Sequence, residues 1–412
     1  MRPQKLFKLT LILIGLTTTV CFWSCQNSNS EKPAIVFWHF WSEPSQKNII
    51  ESLVKEFEFI NHCTVELSEL SWNDGKTKLT AAFNSNTAPD VLELGSDWIA
   101  QFSSSTLLEN IPLEKLNAFY HYALPPAKWN NNYYALPWTL DSRAMFVNND
   151  LLKKNGIENP PLTFDELSSL SSKISLTSTE EYIYGVNGDD PHRLYKKILP
   201  IIWSFGGDVF NADGKLHLNS ESNIRAVEYY ANLAKYGVVE TQRQIDQMFV
   251  QGKIAICFSG SWLPEKIDKT NPTLDYTISL MPGRESNSGI SFAGGEYLAV
   301  NSQSKNKELS FKLIEFLTSR DNVIKFCSSV NEAGFPADSA ASLNDVFTKH
   351  PVKKIFAEQL KQSKMTPMHE QWLEIEHLIE TAVVETILSK KSARQAMNDA
   401  QQSAMKIIKI SQ

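Results

Sequence analysis

The sequence predicts an α/β protein of two lobes, and three observations carry that prediction. Strand-like and helix-like segments alternate from Ala34 onward, the pattern that builds a parallel sheet covered by helices. The chain has 412 residues, and about 388 remain after a leader of 24, too many for one core and natural for two. No repeat, low-complexity tract or long linker divides them, which points to lobes interleaved in sequence rather than strung end to end.

The leader, residues 1–24, is not part of the fold. Arg2, Lys5 and Lys8 precede the apolar run LTLILIGL, far shorter than the ~20 residues of a membrane span, so the segment reads as a secretion signal. It ends at cysteine rather than at an A-x-A site. Cys25, after the small Ser24, is the expected lipid-attachment residue, and Cys21, after Val20, fits less well. Plain secretion is the alternative. Residues 25–33, including QNSNSEK, read as a flexible tether.

Loss of the leader's three basic residues takes the formal charge from −6 to −9. An acidic exported chain argues against nucleic acid or anionic lipid as the partner. Of the five cysteines, Cys63, Cys257 and Cys327 then remain besides Cys25. An odd number at irregular spacing implies neither a disulfide scaffold nor a zinc module.

In order along the mature chain, AIVFW is β-branched and aromatic and reads as a strand, with the amphipathic helix Ser45–Phe59 after it. TVELSEL, NDGKTKLTAAFNS and PDVLEL continue as strand, helix and strand. YYALPWTLDSRAMFVN, 133–148, is extended and leads into a helix over DLLKKNG, closed by Gly156. A second lobe begins with TFDELSSLSSKI as helix and YIYGVNG as strand, then a long helix over LYKKILPIIWSFGG. NADG, 211–214, is a hairpin signal between VF and KLHL. After the helix SNIRAVEYYANLAKYG, the strands KIAICF, DYTISL and GGEYLAV precede FKLIEFLTS, and the chain ends in helices.

Local motifs for catalysis are missing from the sequence: no P-loop, G-x-S-x-G or G-x-G-x-x-G is present. HEQWL at His369 is not H-E-x-x-H. VFNADGKLHLNS fails as a calcium loop, because Val209 and Ser220 fill its first and last ligand positions. No metal, no cofactor and no enzymatic activity are therefore expected. An exported glycoside hydrolase is the competing class, since it too uses tryptophans and paired carboxylates.

Six blocks then carry a more specific resemblance. They are FWHFWSEP, TAPDVLELGSDWIAQF, YYALPWTLDSRAMFVNNDLLKKNGIENPPLTFDEL, DPHRLYKKILPIIWSFGGDVF, FVQGKIAICFSGSW and GGEYLAVNSQSKNKELSFKLIEFLTS. In this order the chain resembles the family 1 extracellular solute-binding proteins, the sugar-binding lipoproteins of ATP-driven importers for maltose or glycerol 3-phosphate. The resemblance implies the type II periplasmic-binding-protein fold, with a ligand cleft between two α/β lobes. By analogy, residues 34–140 with 298–336 form the first lobe and 141–297 with 337–412 the second. Crossings would lie within 136–146, near 288–299 and near 334–342. It implies a monomer held outside the cytoplasmic membrane by its lipid, closing on carbohydrate and docking on two permease subunits driven by a separate ATPase. A sensory role, with the ligand presented to a membrane receptor, is the alternative partner reading.

Sugars offer apolar C–H faces and hydroxyl rims, so their sites pair aromatic platforms with carboxylates, amides and arginine. In open α/β sheets, ligands sit at the carboxyl ends of strands. On that basis Trp41 and Glu43 after the first strand, Trp72 with Asn73 after the second, and Asp97 and Trp98 after the third are expected ligand contacts, with His39 a weaker one. Ser96 or Asp97 as a helix cap with Trp98 packed beneath it is the alternative. Trp138 and Asp141 lie on the crossing, where Asp141 either pairs with Arg143 or accepts a sugar hydroxyl. The resemblance adds Trp203 at a helix end and Gly295 and Glu296 at the second crossing; Trp262 in FSGSW and Trp372 before the terminal helices complete the set, with core packing the alternative for Trp203 and Trp372. The GFPA stretch lacks the arginine that many relatives carry after its proline, which weakens any expectation of an anionic ligand.

Overall fold

The computed structural model describes residues 32–72, 74–175, 180–286 and 289–410. The leader, Cys21, Cys25, the tether up to residue 31, and Asn73 lie outside them. β1 (Ala34–His39), β2 (Thr64–Glu69) and β3 (Val91–Gly95) alternate with the helices Pro44–Asn61 and Gly75–Asn84, as the sequence pattern predicts. The first helix begins at Pro44, whose fixed φ and missing N–H suit a first turn. It buries Ile50, Leu53, Val54 and Phe57, one face at helical spacing. β1 lies between β2 and β3, parallel to both.

The short hairpin β4 (Lys128–Trp129) and β5 (Asn132–Tyr133) precedes β6 (Leu136–Ser142) and β7 (Ala144–Asn148). Arg143 alone separates the last two, yet they belong to different sheets. β8 (Tyr182–Asn187), β9 (Gly237–Glu240), β10 (Ile254–Ser259) and β11 (Tyr276–Ser279) follow. The long β12 (Ser291–Val300), β13 (Phe335–Pro336) and β14 (Ser363–Lys364) complete the strands. One sheet runs β13-β6-β12-β3-β1-β2, with β14 on β12, and the other β11-β7-β10-β8-β9. The Arg143 N–H donates to Ser291 Oγ at 3.1 Å, and that hydroxyl donates back to the Arg143 carbonyl at 2.7 Å. The two connections between the sheets are thereby held side by side.

Two local expectations need amendment. The helix over LYKKILPIIWSFGG covers only Tyr195–Ser204, with Pro200 inside it and Gly206 at φ 81° just past its end. The NADG segment does turn, with Gly214 at φ 74°, but it joins only the isolated bridge Phe210–Leu216.

Apolar packing forms three clusters. One is continuous from Ile35 and Phe37 on β1 to Phe146 on β7 and Cys257 on β10, so it spans both sheets. A second joins the sheet containing β7 to the helices Trp372–Ile387 and Ala393–Ile410. The third, around Phe40, Leu70 and Trp98, lies against the first sheet, and Leu373 packs on it. Cys63, Cys257 and Cys327 are buried free thiols.

Candidate functional site

Five aromatic and charged groups, Phe40, Trp72, Lys76, Asp97 and Trp98, gather past the carboxyl ends of β1, β2 and β3. Trp72 stacks on Phe40 with centroids 4.0 Å apart and planes 18° apart, and Trp98 stands 5.5 Å from Trp72. Two glycines permit this grouping: a Cβ on Gly75 would overlap the Phe40 ring, and one on Gly95 would crowd Asp97 Oδ1 at 2.8 Å. Lys76 lies over the Trp98 ring at 5.5 Å from its centroid, and its buried Nζ has no hydrogen-bond partner. Burial pulls Lys76 down to about 8, against the attraction of Asp97, Glu376 and Glu374. Asp97 Oδ2 accepts from the Tyr195 hydroxyl at 3.1 Å, a bond between the loop after β3 and the helix Tyr195–Ser204. Tyr195 also packs edge-on against Trp372, 5.8 Å away. Trp372 is fully buried, and its indole N–H is unpartnered.

A second group lies on the paired connections. Asp141 forms an ion pair with Arg143 through Oδ2, while its Oδ1 is buried without a partner. The Arg143 guanidinium sits over the rings of Trp262 at 4.7 Å and Phe292 at 5.7 Å. Trp262 donates its indole N–H to Asp246 Oδ2 at 2.7 Å, and it folds back over Gly260, where a Cβ would overlap its ring. Glu296 lies on β12 beside Gly95 of β3 and Thr139 of β6. Burial, reinforced by Glu93, raises its carboxyl well above the usual range, and Oε2 has no partner. Gly295 is there for a different reason, since a Cβ would overlap the Thr139 carbonyl. Lys196 spans the Tyr195 and Phe292 rings at 5.5 Å from each, and its charge faces both Asp97 and Glu296.

The remaining predicted residues stand apart from these two groups. Trp41 and Trp138 are buried against Phe326, Trp138 stacked at 4.5 Å and Trp41 edge-on at 5.0 Å. His39 is buried and accepts the Trp41 N–H at 3.3 Å, and burial lowers its imidazole to about 4. Trp203 is buried, donates to Asp208 Oδ1 at 3.2 Å, and lies under Lys364. Glu43 is exposed at the N-cap of the helix Pro44–Asn61, where its N–H donates to Gln46 Oε1 at 3.2 Å.

Sequence reasoning missed Lys76, Tyr195, Lys196, Asp246 and Glu376. Lys76 and Lys196 stand in helices among other lysines, so no local signal marks them out from a solvated face. Asp246, by contrast, is a carboxylate in the helix Gln242–Val250 bonded to Gln242, Ser259 and Trp262 at once.

Residues 41–324 match the sequence profile of the bacterial extracellular solute-binding proteins. The chain is 23% identical to the maltodextrin-binding protein of Bacillus subtilis over 87% of each chain. It is 24% identical to the galactooligosaccharide-binding protein of the same organism, over 90% of this chain and 89% of that one. Among solved structures, a solute-binding protein of an ABC transporter from Thermotoga lettingae, bound with α-D-tagatose, superposes with a TM-score of 0.79 at 25% identity. It covers 91% of this chain and 99% of its own. The GacH receptor of Streptomyces glaucescens gives 0.81 at 20% identity, over 92% and 99%. These are two-lobed sugar-binding folds of type II, and the sheets described above share their architecture.

Proposed function

This chain belongs to the bacterial extracellular solute-binding proteins, and from that premise we propose that it captures an oligosaccharide for an ATP-driven importer. The carrying observation is the set of buried polar atoms without partners between the two sheets. Lys76 Nζ and Trp372 Nε1 are donors among them, and Asp141 Oδ1 and Glu296 Oε2 are acceptors. Buried polar groups are normally satisfied, and a polyhydroxylated ligand supplies both donors and acceptors. Trp72, Trp98 and Trp262 offer aromatic faces for the C–H sides of sugar rings.

In this reading residues 34–140 with 298–336 and residues 141–297 with 337–412 are the two lobes, the bounds shifted at the crossings so that all of β6 and β12 stay with the first sheet. They open about the Arg143–Ser291 connections and close through Tyr195–Asp97. Trp41, Glu43, Trp138 and Trp203 contribute at the rim or by supporting the walls. Lipid at Cys25 tethers a monomer outside the cytoplasmic membrane, and the closed form docks on two permease subunits driven by a separate ATPase. Among the described residues no helix is long and apolar enough to cross a membrane. Ligand leaves chemically unchanged, since the role is binding.

A thermal-shift screen of residues 26–412 against mono-, di- and oligosaccharides and glycerol phosphates tests this. A ligand at 100 times its Kd adds about 2.7 kcal/mol of stability, readily seen as a raised Tm. A response confined to related glycans, recovered intact, is the expected outcome. Consumption of the glycan would restore the hydrolase, and silence across the panel would move the ligand outside carbohydrates.

A further inference from the structure

The turn before the helix Tyr195–Ser204 packs on the helix Trp372–Ile387, and three ligand-type side chains meet there. Glu376 and Glu380 lie one turn apart on the same helix face. His192 reaches them from the turn with its backbone at φ 62°. Its Nδ1 stands 2.8 Å from Glu376 Oε1, and its N–H donates to Glu380 Oε2 at 2.9 Å. The other oxygen of Glu380 accepts the Tyr195 N–H at 3.1 Å.

These bonds account for the cluster incompletely. Glu376 is fully buried, yet Oε2 has no partner, because the contact with His192 uses only Oε1. An oxygen of that kind is costly unless a donor or cation meets it. The three residues each offer an atom within 4.8 Å of the others, so a central ion would sit within roughly 2.8 Å of all three before side-chain adjustment, against about 2.0–2.2 Å in formed zinc sites. Each oxygen of Glu380 accepts one N–H and retains a lone pair. The His192 side chain is 59% exposed, which leaves an entry path and room for a solvent ligand.

We propose that His192, Glu376 and Glu380 bind a divalent cation of the zinc type, pinning the turn before Tyr195 to the helix that carries Trp372. One imidazole and two carboxylates suit zinc or manganese better than calcium, which favours six or more oxygens. Lys76 and the positive end of the helix Tyr195–Ser204 oppose a cation here, and the two carboxylates offset them. Local spacing could not reveal the set, because His192 is more than 180 residues from Glu376 in sequence.

The test is calorimetric titration of EDTA-treated protein, residues 26–412, with zinc chloride, then with manganese and calcium chlorides. One saturable zinc site is expected, weakened at least tenfold in both His192→Gln and Glu376→Gln. His350→Gln, a change at the N-cap of the helix Pro351–Leu360, should leave it unchanged. His192→Gln alters an exposed ring, so its folding, checked by circular dichroism, is secure even where Glu376→Gln is not. Absence of saturable binding, or binding undiminished in folded His192→Gln, overturns the site.

Discussion

Trp98 and Trp262 differ in how they are held, and that difference sets what each substitution should do. Trp98 is braced by Phe40, Trp72 and Lys76. Trp262 is braced by Arg143 and bonded to Asp246. Truncation of either to alanine should cost roughly 1–3 kcal/mol of ligand affinity, or about 5–150-fold in Kd by calorimetry. Unchanged affinity would remove that residue from the site. Residue-scale electrostatics predict two opposing pH effects. The unfolded chain protonates His39 near 6.5, but burial holds it neutral in the fold down to about 4. The unfolded state therefore binds more protons between those values, and stability falls by up to about 3 kcal/mol from this residue as pH drops from 6.5 to 4. Burial pushes Glu93 up to about 8, although the Phe40 N–H at 2.8 Å favours its charged form. The fold keeps this proton while the unfolded chain loses it near 4.5, so stability falls as pH rises from 4.5 to 8. Urea denaturation from pH 4 to 8 should show His39→Asn flattening the acid limb and Glu93→Gln the neutral one. Parallel curves for variant and wild type would refute either assignment.

β12 is the element on which the site most depends. It pairs with both β3 and β6, so Glu296 is fixed between Gly95 and Thr139, and Gly295 sits where only a backbone fits. Gly295→Ala should destabilise the protein by about 1–3 kcal/mol through overpacking. A denaturation midpoint equal to wild type would show that β6 yields there. The helix Trp372–Ile387 is the complementary element: Trp372 meets Tyr195, and Leu373 packs on the cluster beneath Trp98. Trp372→Ala should weaken ligand binding and lower the Tm together, because the side chain belongs to a core cluster and, in the proposed reading, also faces the ligand. A loss confined to one of the two readouts would separate those roles.

For the whole molecule, the two sheets meet through two core clusters that each draw on strands of both, through the Arg143–Ser291 pair, and through the bond between Tyr195 and Asp97. In the closing motion proposed above, the bonds at the connections would persist, whereas the Tyr195–Asp97 bond would form only on closure. Small-angle scattering with and without a hit from the glycan screen should show a smaller radius of gyration with ligand. Tyr195→Phe should shift the free protein toward the open form. Identical scattering curves with and without ligand would rule out closure as the binding step.

Much of this protein was legible in its residues. Strand–helix alternation from Ala34 and the runs around LGSDWIAQF and PWTLDSRAMF marked the α/β class, the family and the strand ends that hold Trp72, Asp97, Trp98 and Asp141. Those signals are local, since periodicity and turn chemistry act over a few residues. Tertiary structure alone decided the rest. It put Trp138 and Trp41 against Phe326, paired Arg143 with Asp141 while turning it over Trp262, and set Lys76 near Asp97 and Glu376, Lys196 near Asp97 and Glu296, and Asp246 on Trp262. These placements join residues tens to hundreds of positions apart, and a buried lysine or carboxylate carries the same letter as a solvated one. Packing within each sheet's layer and between the two decides which charges lose their water.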